Sequence, residues 1–221
     1  MRHALKVGFF ANTSWYLANF RMDLMKAVQQ LGYEVVAMAP EDEYSVRFKE
    51  NGIPFRRVFL KRRDYTPWGK RRTVRELRGI IREEGIGLMH HFTLEAILTG
   101  TIAAGRNGPC VVHSVTGMGF VFSGKSLSRT ALRLCLKPLL KRCLRRGPVI
   151  VENRGDRETV NSIVGNPSKY DIEVISGGGV DVERFSPEAE GSVERADGQV
   201  RFLLAGRLLR DKGGGLFVDA A

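Results

Sequence analysis

Two cations close the sequence. In LLAGRLLRDKGGGLFVDAA, residues 203–221, an apolar run stops at Gly206, Arg207 follows at once, and Lys212 precedes three glycines. Cations placed between a strand and the start of a helix favour an anion, because unpaired N–H groups at the helix N-terminus add to their field. Three histidines form a second group. His90 and His91 end the apolar run GLMHH, and His113 lies near the end of PCVVHSV. Imidazole can serve as acid or base near neutrality. In an open parallel sheet, ligands bind outside the carboxyl ends of the strands, which is where these residues are expected. Adjacent residues on a strand face opposite ways, so only one of His90 and His91 can reach a given cleft. A hydrogen-bonded structural role is the alternative for each.

A third pattern is GFVFSGKS, residues 119–126, a literal match to the phosphate-binding loop GxxxxGK[ST]. Such a loop needs small residues so that successive N–H groups can wrap a phosphate. Phe120, Val121 and Phe122 are bulky, and no apolar strand ending in aspartate follows to hold magnesium. A nucleotide triphosphatase using Lys125 and Ser126 stands as an alternative. The more economical reading is local packing, with Lys125 and Ser126 opening a helix. No HExxH, GxSxG or Cys–His arrangement competes, and the three cysteines show no zinc spacing.

The net charge of +11 is concentrated. Residues 56–82 hold eleven Lys/Arg against two acids, 126–146 hold seven against none, and the rest of the chain is net negative. Such patches suit phosphate, nucleic acid or an anionic membrane, or form a solvated face. In the helix expected over 126–146, Arg129, Arg133, Lys137, Lys141 and Arg145 recur every fourth residue beside a leucine body, as an interfacial helix requires. A non-catalytic basic membrane-binding module is therefore a further alternative. No RNA- or DNA-binding signature is present, so nucleic acid is not an expected partner. Three cysteines without a CxxC pair favour a reducing cytosol, and the basic, apolar N-terminus lacks a small-residue cleavage site and reads as a first strand.

The elements that must position these residues alternate regularly. Strands are expected at 5–11, 34–39, 55–60, 87–91, 109–115, 148–153 and 172–176, and helices at 19–31, 43–51, 67–84, 94–106, 126–146 and 156–164. Near-continuous apolar strands between helices predict an α/β fold with a doubly wound parallel sheet. The glycine-rich, then acidic stretch 176–199 reads as a linker, and VRFLLAG at 200–206 as the first strand of a second α/β unit. The expected organisation is 1–175, a linker over 176–199, and 200–221.

The chain resembles retaining glycosyltransferases of family 4, whose GT-B architecture places two Rossmann-like domains around a cleft. The match is closest to the capsular and lipopolysaccharide group. The likeness runs through SWYLANFRMDLMKAVQQLGYEVVAMAPEDEYS, HHFTLEAILTGTIAA, VTGMGFVF, GGGVDVERFSP and the closing GRLLRDKGG. It implies an acceptor-side N-terminal domain and the start of a donor-side domain, whose remainder would carry the nucleotide pocket and two glutamates. It also implies transfer of a sugar from a nucleotide sugar, a UDP-sugar in the simplest case, to a glycan or polyprenyl-linked acceptor. No cofactor or metal is implied, and the site would lie at the inner face of the plasma membrane. The implied roles are acceptor contact for the first loop (Asn12, Ser14, Asn19), donor-sugar contact for His113 with His91 second, the hinge at Gly178 and Gly179, and the donor diphosphate at Arg207 and Lys212.

Overall fold

The computed structural model describes residues 4–60, 67–117, 127–165, 170–183, 185–186, 202–206 and 212–220, with the backbone alone at 67–68 and 127–135. The chain divides into two compact units, Met1–Gly179 and Val180–Ala221.

In the first unit the apolar runs become seven strands: β1 (Lys6–Phe10), β2 (Glu34–Ala39), β3 (Phe55–Arg57), β4 (Ile86–Phe92), β5 (Cys110–Val115), β6 (Val149–Val151) and β7 (Ile172–Val174). They form one sheet in the order β3-β2-β1-β4-β5-β6-β7, with every pairing parallel. The fold is α/β and Rossmann-like. The chain reverses direction between β1 and β4, so connections on either side lie on opposite faces when crossovers are right-handed.

The helices follow that rule. α1 (Ser14–Phe20), α2 (Met22–Gln30) and α3 (Val46–Glu50) pack with Phe9, Val35, Ala37 and Phe92 on one face. The other face is covered by α4 (Pro67–Glu83), α5 (Leu94–Ala104), α6 (Leu127–Leu144) and α7 (Arg154–Val164). There Phe10, Met38, Met89 and Val111 pack beneath α4 and α5, and Val115, Val149 and Val151 beneath α5, α6 and α7. Strands buried on both sides explain the unbroken apolar runs. At the centre of β1, Gly8 leaves room for two methionines: a Cβ there would lie 2.6 Å from Met38 Cε and 2.9 Å from Met89 Sδ, so these flexible side chains would have to shift.

Two sequence expectations are corrected. The first helix begins at Ser14 rather than Asn19 and breaks at Arg21. Thr13 is its cap, its Oγ1 accepting from Tyr16 N at 3.2 Å. The strand expected at 200–206 is absent over 202–206, where Phe202 and Leu203 are 81% and 90% exposed. An extended segment forms a strand only when a neighbour pairs its backbone, and these residues have no ladder partner among those described. The second unit also contains a short helix, α8 (Gly214–Asp219).

Candidate active site

The carboxyl edge of the sheet brings together residues far apart in the chain. Tyr16 comes from α1, Arg21 from the α1–α2 break, and Phe92 ends β4. Thr116 follows β5, Glu152 follows β6, and Gly178 lies four residues beyond β7. Arg21 is the common partner of Tyr16, Phe92, Glu152 and Gly178, and Thr116 joins through Tyr16. Its Nε and Nη2 donate to the Tyr16 phenol oxygen at 2.9 and 2.6 Å, and Nη2 also reaches Glu152 Oε1 at 3.2 Å. The guanidinium carbon lies 5.1 Å from the Phe92 ring centroid. A Cβ on Gly178 would sit 3.0 Å from Arg21 Nη1, so glycine admits this close approach. Arg21 is buried, and its planar fork meets several acceptors in a way a lysine ammonium could not. Burial pushes the Tyr16 phenol up; Arg21 and a hydrogen bond from Thr116 oppose the shift.

Beside Glu152 a groove of about 810 Å³ opens over β6 and β7, lined in part by Asn153, Arg157, Asn161 and Ser176. Asn153 caps α7 there, its Oδ1 accepting from Asp156 N at 2.8 Å. On the neighbouring β4–α5 junction Thr93 holds φ 76° and ψ 152°, a conformation costly for a β-branched residue. Trp15 and Phe20 flank the same edge, 45% and 48% exposed, their rings edge to face at 5.2 Å.

The histidines lie deeper, and the alternation of β4 separates them. His90 faces the α1 side, its Nε2 2.8 Å from Ser114 Oγ and its ring 4.1 Å from that of Phe92. His91 and His113 face the α5–α6 side. Both are 0% exposed, with their Nδ1 atoms 3.2 Å apart. Their partners fix the protons. His113 Nε2 lies 3.1 Å from the Cys143 carbonyl oxygen, which can only accept, so this nitrogen carries the hydrogen. His113 Nδ1 then accepts from His91 Nδ1–H. His91 Nε2 is left as a bare lone pair without a partner, against Gly100.

Burial lowers all three. His90 falls to about 3, with Arg21 adding to the effect. His113 falls to about 4, the Cys143 hydrogen bond opposing, and His91 lies well below the ordinary range. The expectation that His113, with His91 second, meets a donor sugar does not fit this placement. Both rings are enclosed under helices, because β5 continues two residues past His113 and turns that side chain into the core.

The first-loop expectation is also revised. Of its three residues only Asn12 lies in the turn after β1. Ser14 is buried and donates to Pro40 O at 2.6 Å. Asn19 lies on α1, bonded to Trp15 O at 2.9 Å and accepting from Arg47 Nη1 at 2.8 Å. Gly178 and Gly179 lie in the segment leaving β7, and Gly179 has φ 73°. Lys212 immediately precedes Gly213, the cap of α8. Arg207 lies outside the described residues, as do Lys125, Ser126 and the rest of GFVFSGKS. The sequence reading missed Tyr16, Arg21, Thr116 and Glu152. The one signal for them was an arginine interrupting two apolar helical patterns in NFRMDL.

Sheet order and polar edge together define a Rossmann-like domain with its ligand edge at the carboxyl ends of the strands. The family model for the glycosyl transferase 4-like domain matches residues 17–178, and the chain belongs to that family. Similar solved structures include a glycosyltransferase from Rickettsia africae ESF-5 at 12% identity and TM-score 0.60, covering 87% of this chain and 47% of that one. Sucrose-phosphate synthase from Thermosynechococcus elongatus has 13% identity and TM-score 0.60, with 81% and 49% covered. Anabaena HepE, solved in complex with UDP and glucose, has 17% identity and TM-score 0.57, with 83% and 47% covered. The chain thus spans about half the length of these proteins, and at such identities the likeness is one of fold. No curated protein sequence matches the chain.

Proposed function

We propose that the chain is the acceptor-side part of a retaining glycosyltransferase. It would act with a donor-binding domain that begins in its second unit. The enzyme moves a sugar from a nucleotide diphosphate, a UDP-sugar, to a glycan or polyprenyl-linked acceptor in surface polysaccharide synthesis, at the inner face of the plasma membrane. The observation that carries this reading is the Arg21 cluster. It gathers α1 and the α1–α2 break, the end of β4, the residues just after β5 and β6, and the segment leaving β7 at the sheet edge where this fold class binds ligands. The exposed Trp15–Phe20 pair offers an apolar face to a sugar ring or lipid chain beside it.

In this reaction the bond between the anomeric carbon and the diphosphate oxygen breaks while an acceptor hydroxyl bonds to that carbon and gives its proton to the departing phosphate oxygen. Positive charge builds on the sugar and negative charge on the leaving phosphate. Arg207 and Lys212 supply the opposing charge.

The test joins the chain to the polypeptide encoded directly after it and follows sugar transfer from UDP-sugars to membrane extracts. Arg207→Ala and Lys212→Ala should each lower kcat/KM by roughly 100-fold, the scale of losing one transition-state charge contact. Unchanged turnover in both variants would refute the donor-site assignment.

A further inference from the structure

We propose that the outward surface of the α4–α5–α6 layer docks on an anionic lipid bilayer. This deepens the membrane address proposed above, and rests on it, by naming the face that makes contact. Arg71, Arg75, Arg78 and Arg82 recur at intervals of four, three and four on α4, so they form one row about 16 Å long. The acids of α4 are engaged on its other side. Glu76 accepts from Phe59 N at 2.6 Å, and Glu83 is held by Arg56, which also takes Glu84 just beyond the helix. Arg75, Arg78 and Arg82 have no carboxylate partner among the described residues.

The neighbouring helix is different in kind. α5, LEAILTGTIAA, carries one charge, Glu95, and Lys70 of α4 neutralises it. The last turn of α5 is reached by cations from both sides. Arg78 Nη2 donates to Ile102 O at 3.2 Å, and Arg146, just after α6, donates through Nη2 to Gly105 O at 2.6 Å. These carbonyls lack helical partners or lie at the negative helix end, so guanidinium groups are held there. Between the two flanks Ile102 is 39% exposed, and on α6 Leu139 is exposed near the exposed cation Arg142. A shallow groove of about 380 Å³ follows the α4–α5 seam, with Val74 and Ile102 set among Lys70, Arg75 and Arg82.

Apolar side chains bordered on both sides by cations match a bilayer surface, where phosphates meet the charges and acyl chains meet the isoleucine and leucine. A soluble polyanion would use the charges and leave Ile102 and Leu139 without a role.

The experiment uses the whole 221-residue chain with vesicles of phosphatidylcholine containing about a third phosphatidylglycerol, and heparin as the soluble polyanion. Binding to the anionic vesicles should fall steeply with salt and be lost on pure phosphatidylcholine. The triple variant R75Q/R78Q/R82Q should bind about 100-fold less, from roughly fivefold per arginine. Ile102→Asp, which keeps the row, should bind vesicles about tenfold less while binding heparin like the wild type. Unfolding midpoints check that each variant is folded, and Arg75→Gln alone, at an exposed site, gives a fivefold readout if the triple variant is not. Equal vesicle binding by wild type and arginine variants would overturn the proposal. So would vesicle binding insensitive to Ile102→Asp, which would point to a polyanion. Vesicle binding is read without any transfer step, so its failure leaves the glycosyltransferase reading standing, and loss of that reading leaves the vesicle result intact.

Discussion

Acidification should unfold this domain through its three buried histidines. An unfolded histidine binds a proton near pH 6.5, whereas folded His90 and His113 are lowered to about 3 and about 4 and His91 well below the ordinary range. The unfolded chain therefore takes up protons first. The stabilisation is fully present above pH 6.5 and is lost as pH falls toward the folded values. At pH 5 His90 and His113 should each have cost about 2 kcal/mol relative to pH 7.5, from 1.36 kcal/mol per pH unit per group, and His91 acts in the same direction. That is a large fraction of the whole stability of an ordinary domain, about 5–15 kcal/mol. Urea unfolding followed by circular dichroism at pH 7.5, 6.5, 5.5 and 5.0 measures it. His90→Gln keeps a polar group toward Ser114 and should make the slope shallower by about 1.4 kcal/mol per pH unit near pH 5. A stability flat between pH 7.5 and 5 would show that the rings titrate normally and that the enclosure described for them is wrong.

Two further outcomes test the packing around the site. Gly100→Ala gains about 1 kcal/mol of helix propensity but places a Cβ 2.4 Å from His91 Nε2. Overpacking of about 1–3 kcal/mol should win, lowering Tm by several degrees, and in a His91→Ala background the same change should become stabilising. Arg21→Met should cost about 1–3 kcal/mol, because Glu152 and the Tyr16 phenol lose a shared donor and Glu152 is partly solvated. Arg21→Lys should recover less than half of that loss in the same thermal melt, since an ammonium cannot make the forked contacts.

Much of the sheet was legible because parallel strands buried on both faces must be apolar throughout, as in LKVGFFA and EVVAMA, and because glycines punctuate the helix ends. The edge was harder. ANTSWYLANF read as a loop because its polar residues looked free. Ser14 instead spends its hydroxyl on Pro40 O, and Thr13 caps the helix. Arg21 gave no hint of Glu152, which is 131 residues away in sequence and meets it only through the order of the strands. The histidines misled because two residues of strand beyond His113 decide whether its ring meets a ligand or the core. The apolar pattern of 202–206 predicts a strand, but a strand also needs a neighbour, and no local pattern encodes one.

The β4–β5 ladder bears on how this domain avoids misfolding. Consecutive residues of β4 bond consecutive-face partners of β5: His90 meets Ser114 on one side of the sheet, and His91 meets His113 on the other. Parallel pairing by itself tolerates sliding, since one apolar β-branched residue substitutes for the next. A shift of one residue here would turn every side chain of the strand to the wrong face and strip both polar pairs at once, leaving several buried rings and a hydroxyl without partners. The two contacts thus act as a proofreading lock on strand alignment. Their value lies as much in the penalty they impose on misaligned chains as in the stability they add to the correct one.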